Sequence, residues 1–128
     1  MALTHTVETK VVTAARTVLG SKTYSGDAES KLEVAIADSV TDQQVNVAID
    51  VTAVKSILMT SDQDLTVETN DGTTPTDTIN LIAGVPYLWT TDQYFTNLLT
   101  ADVTALYLTN SSGATANFDM ECVYDSTP

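Results

Sequence analysis

A period-two alternation of apolar and polar residues constrains this chain more than any other feature. Between Glu29 and Ala37, Leu32, Val34 and Ile36 alternate with Lys31, Glu33 and Ala35. Between Gln44 and Val51, Val45, Val47, Ile49 and Val51 alternate with Gln44, Asn46, Ala48 and Asp50. Successive side chains of a strand point to opposite faces, so each segment reads as a strand with one buried face. Ser39, Thr41 and Asp42 supply the turn between them. Near the end of the chain, Ala116, Phe118, Met120, Cys122 and Tyr124 fall on one face. Thr115, Asn117, Asp119, Glu121 and Val123 fall on the other. Val103 to Thr109 pairs with that strand as a hairpin, joined by Asn110-Ser111-Ser112-Gly113.

The middle of the chain adds shorter strands. Val54 to Thr60 is a denser apolar run, with Ile57, Leu58 and Met59 adjacent, as in a strand covered on both sides. Leu65 to Thr69 and Thr78 to Ala83 flank Asn70-Asp71-Gly72, where Asp-Gly favours a tight turn with positive φ. Gly84-Val85-Pro86 redirects the chain into a short aromatic strand, Tyr87 to Thr90. Thr91 to Leu99 is the single helical expectation. Phe95, Leu98 and Leu99 sit at helical spacing, and Thr90 with Gln93 matches a capping box. About eight to nine short strands at this spacing predict an all-β fold. The expected architecture is an antiparallel β-sandwich, a jelly roll being one form of it.

Residues 1–28 stand apart. Thr6 to Thr17 holds Val7, Val11 and Val12 together with Lys10 and Arg16, two of the five basic residues. Its alternation is imperfect, which suits an arm or an edge strand packing on the domain or on a partner. Ser21 to Asp27 reads as a loop or weak strand. Residues 29–128 form the expected sandwich domain. At 128 residues the chain has material for one core and no second one.

Charge narrows the partners. Seventeen Asp and Glu face five Lys and Arg, a formal net charge of −12. Nucleic acid and anionic membranes are therefore excluded as expected partners. Charged residues total only 17%, below the roughly 25% of ordinary domains. Threonine, roughly one residue in six, takes up the difference and suits the solvent face of a sheet. The single cysteine, Cys122, lies on the apolar side of the last strand, as a buried thiol does. Unpaired cysteine and a start without a basic and apolar leader fit synthesis in a reducing cytoplasm.

No chemistry-bearing constellation emerges. A nucleophilic triad needs a base, and His5 is the only histidine. Asp62, Asp64, Glu68, Asp71, Asp77 and Asp92 supply carboxylates for acid–base work, but most lie beside turn residues that use Asp to hold backbone amides. One His and one Cys are too few for a zinc site. Asp62-Gln63-Asp64 and Asn70-Asp71-Gly72 offer oxygens of the kind calcium takes, without the twelve-residue loop pattern. No glycine-rich phosphate loop is present, so no cofactor is expected. Asn110-Ser111-Ser112 is a glycosylation sequon by pattern and turn chemistry by context. Among the aromatics, Trp89 and Phe95 read as core. Tyr87 and Tyr94 read as contact surface or, with Trp89, as a sugar platform. The expectation is a non-enzymatic binding protein, with a carbohydrate-binding or host-recognition module as the alternative.

The segments "LIAGVPYLWT" and "LYLTNSSGATANFDMECVYD", within residues 57–125, resemble the decoration or cement proteins of tailed-bacteriophage capsids. The resemblance implies a β-sandwich on the outer surface of a virion, often a homotrimer, that fastens the major capsid protein through protein–protein contacts. It also implies that a terminal segment and one sandwich edge touch the shell. On this chain the terminal segment is Thr4 to Val12, with Thr4, Thr6, Val7, Glu8, Lys10 and Val12 as interface candidates beside Tyr87 and Tyr94.

Overall fold

The computed structural model describes residues 3–125. Among them are ten strands and no helix: β1 (Leu3–Val12), β2 (Thr17–Gly26), β3 (Ala28–Ile36), β4 (Gln43–Ile49), β5 (Val54–Ser61), β6 (Leu65–Thr69), β7 (Thr78–Leu81), β8 (Tyr87–Thr90), β9 (Val103–Thr109) and β10 (Ala116–Tyr124). All pairings are antiparallel. One four-stranded sheet runs β3-β10-β5-β8 and the other β4-β9-β6-β7. Counted from β3, the orders are first-eighth-third-sixth and second-seventh-fourth-fifth. Every connection from β3 onward except β6–β7 crosses from one sheet to the other, which is the strand order of a jelly roll.

The alternation places the core. Ile36, Ile57, Met59, Phe118 and Met120 from one sheet meet Val67, Ile79, Leu106 and Leu108 from the other. Each such side chain contributes about 1.5–3 kcal/mol by leaving water. Leu32, Val34, Val45 and Val47 pack against them as the period-two pattern requires. Cys122 is fully buried, and burial alone pushes its thiol from 9.0 up to about 12. Only the unfolded chain ionises this group between those values, so it removes stability as pH rises from about 9 toward 12. A thiol reagent at pH 8 should label Cys122 only as fast as the protein unfolds. Labelling of the folded protein at the rate of a free thiol would contradict this burial.

Four sequence expectations are corrected or sharpened. Thr91 to Leu99 is not helical. At its end two amides are taken by side chains instead: Leu98 N–H donates to Tyr87 Oη at 3.0 Å and Leu99 N–H to Asn97 Oδ1 at 3.1 Å. Those bonds replace the backbone ladder that a helix needs. Val103 to Thr109 does not pair with the last strand as a hairpin: β9 and β10 lie in different sheets. Ser21 to Asp27, read as a loop or weak strand, is strand as far as Gly26, in register with β1. In the Asn70-Asp71-Gly72 turn, the positive φ (68°) belongs to Asn70. Gly72 is needed for space: a Cβ there would sit 2.8 Å from the Asp42 carboxylate carbon.

Candidate functional site: a projecting arm and an apolar sandwich edge

β1 and β2 form a two-stranded sheet of their own, ten residue pairs long, outside both layers of the sandwich. Thr13 ties its tip. The Thr13 amide donates to Arg16 O at 2.8 Å, and Thr13 Oγ1 accepts from Arg16 N–H at 3.1 Å. The base of this arm rests on the outer face of the β3-β10-β5-β8 sheet. His5 Nδ1 lies 3.1 Å from Ser56 Oγ, and Thr90 Oγ1 donates to Tyr24 Oη at 3.1 Å. Ser56, Thr90 and Val123 are thereby buried although they face away from the core. This explains why β5 reads as a doubly covered strand. His5 belongs to this seat. Lys22 forms an ion pair with Asp92; that hydrogen bond raises the lysine and lowers the carboxylate.

Beyond the base, residues 8 to 21 are exposed. Directly opposite residues share a face. Val11 therefore lies beside Val18 on the face that continues from His5 and Val7. Val12 lies beside Leu19 and Lys10 on the other face. Val12 is 68% and Leu19 72% exposed. An isolated two-stranded hairpin is marginal in water, and one with apolar groups on both faces calls for cover on both.

The sequence candidates distribute over this arm. Thr4 and Thr6 are exposed on the outward face of its base, where Thr6 Oγ1 lies 3.0 Å from Thr23 Oγ1. Val7 is half-buried beneath it, in a groove also lined by Leu58 and Leu88. Glu8, Lys10 and Val12 are exposed on the distal part. Tyr87 is half-buried and hydrogen-bonded to Asn97, so it fastens the following loop. Tyr94 is fully exposed. Phe95, expected in the core, is 52% exposed, while its carbonyl accepts from Trp89 Nε1 at 3.2 Å. Sequence reasoning missed Leu19, Ile82, Val85 and Leu98 as surface groups. Ile82, Val85 and Leu98 line a groove of about 350 Å³ at the sandwich edge formed by β7 and β8.

The carboxylates are engaged in structure. Asp62 accepts from Asn117 N–H and Asn117 Nδ2, both at 2.7 Å, and those bonds lower its pKa. Asp77 accepts from the Thr100 amide and hydroxyl, both at 2.8 Å, and Asp64 from Ala83 N–H at 2.9 Å. Asp71 caps Thr73 and Thr74, and those bonds lower it too. Glu68 is raised, by partial burial first and then by Asp42 and Asp71. Among the described residues no three His, Cys, Asp or Glu side chains are placed to hold a metal ion. What the surface offers is contact: an apolar arm and an apolar edge on an acidic body.

The chain has no significant match to any protein-family model, curated protein or solved structure.

Proposed function

We propose that this chain is a structural protein of a bacteriophage virion, a decoration protein that binds and stabilises the outer surface of the capsid through protein–protein contacts. The observation that carries the reading is the arm. An element with apolar side chains on both faces is satisfied by lying between two protein surfaces, which is how a fastener works. The acidic body suits the outside of a DNA-filled particle, where it avoids the nucleic acid. The likeness of residues 57–125 to capsid decoration proteins points the same way. Jelly rolls build both shells and lectins, so the arm, and not the fold, argues for the shell.

Cosedimentation with emptied phage capsids tests this. The protein should pellet with the shells, and Val18→Asp should weaken binding about tenfold or more, as loss of a buried valine does. Failure to bind any capsid would remove the proposal.

A second reading rests on Tyr94 and Phe95, exposed on the loop after β8. These aromatics suit stacking on a sugar. A glycan array read with a Tyr94→Ala control decides between the two. Sugar binding that vanishes in the variant would transfer the function to carbohydrate recognition.

A further inference from the structure

Nine large apolar side chains are exposed among the described residues, and they fall into two groups. Val11, Val12, Val18 and Leu19 occupy the distal arm. Ile82, Val85, Tyr94, Phe95 and Leu98 lie at the β7–β8 edge and in the loop that follows it. Within one chain neither group covers the other. We propose that the outward face of the arm, Val12 and Leu19, seats in the Ile82, Val85 and Leu98 groove of a second copy of this chain. The proposal rests on the reading of the arm as a contact element and names the partner of one of its faces.

Charge selects a second copy as the occupant. Three of the five basic residues, Lys10, Arg16 and Lys22, lie between residues 3 and 26 with a single acid, Glu8. The arm therefore carries a formal +2 and the rest of the chain −14, against −12 overall. Lys22 is held by Asp92 of its own chain, which leaves Lys10 and Arg16 to face a partner. Two such bodies repel each other unless a basic element stands between them. The groove is bordered by acids: Asp64 holds the Ala83 amide beside Ile82, and Asp77 precedes β7. Lys10 sits directly opposite Leu19, so it arrives on the same face as the apolar contact. Shape agrees, since a projecting hairpin meets a concave edge.

Backbone pairing supports the same union. β7 is the last strand of its sheet and pairs on one side only. Both strands of the arm also have one unpaired side. Such edges extend a sheet when a second chain adds a strand. Arm and groove are different surfaces, so the contact is heterologous and runs head to tail, closing into a ring where the rotation permits.

Light scattering after size exclusion tests this on the full chain. The protein should elute at a multiple of 13.6 kDa. Leu19→Asp and Ile82→Asp should each elute as monomers with unchanged circular dichroism; Leu98→Asp replaces Ile82→Asp if the latter misfolds. An equimolar mixture of arm and groove variants keeps one intact arm and one intact groove. It should therefore form a dimer and stop there. A wild-type monomer, or an Ile82→Asp variant that still assembles, would overturn the proposal. A wild-type monomer that still pellets with capsids would sink this inference alone, whereas one that binds no shell would sink the functional reading as well.

Discussion

Replacing Asn110 by alanine should cost about 3–5 kcal/mol and lower the melting temperature by about 10–20 °C. Asn110 is fully buried in the loop between β9 and β10. Its Nδ2 donates to Ile36 O at 2.9 Å and to Ala114 O at 2.7 Å. Its Oδ1 accepts from the Ser112 amide at 3.0 Å and the Ser112 hydroxyl at 2.7 Å. The side chain thus joins the end of β3 to the β9–β10 turn. Truncation strands the buried Ile36 carbonyl and breaks the part-buried bonds to Ala114 and Ser112 at once, and a stranded buried group costs about 1–3 kcal/mol. A thermal melt by circular dichroism reads the effect, and a shift of less than about 4 °C would show that this network is dispensable. The same geometry closes the sequon to glycosylation in the folded protein, because every polar atom of the amide is already engaged.

Gly26→Ala should release the base of the arm, at a cost of about 2–4 kcal/mol. A Cβ at Gly26 would stand 2.1 Å from Tyr124 O and 2.8 Å from Val123 Cγ1. Backbone cannot yield as a flexible side chain does. Relief therefore means separating β2 from β10 and breaking the Asp27 N–H to Tyr124 O bond of 3.0 Å. His5 and Tyr24 would then leave Ser56 and Thr90. Trypsin cleavage after Lys22 should rise about tenfold or more, since protease access follows the population of the open form. The sandwich core, which the substitution does not touch, should keep its β-sheet circular dichroism. Unchanged cleavage at Lys22 would mean that the arm is held by something other than this close approach. Because the arm is the element proposed to reach a capsid and a second copy, the same variant should lose both contacts together.

The arm illustrates why part of the structure escaped sequence reading. Val11, Val12, Val18 and Leu19 break strict alternation because neither face of the hairpin is buried by its own chain, so no single pattern marks a solvent face. The β7–β8 edge was missed for the opposite reason. Ile82, Val85 and Leu98 look like core residues in composition, and only their place at an open edge leaves them exposed. Thr91 to Leu99 shows the limit of helical spacing. Phe95, Leu98 and Leu99 match the period, yet Tyr87 Oη and Asn97 Oδ1 claim the amides that would have built the turn. Those partners come from tertiary placement, which local spacing does not encode.

The chain's own order of side chains determined the strands and their buried faces, because a pleated backbone forces neighbours to opposite sides. Leu32, Val34 and Ile36, and Phe118, Met120 and Cys122, were assigned to the core on that ground. Which strands lie side by side was decided only by the tertiary fold. Pairing β3 with β10, some eighty residues away, depends on how two sheets close over one core. So did the fate of the arm: whether its valines are buried or displayed depends on where β2 meets β10, a contact that no local pattern in residues 3–26 can express.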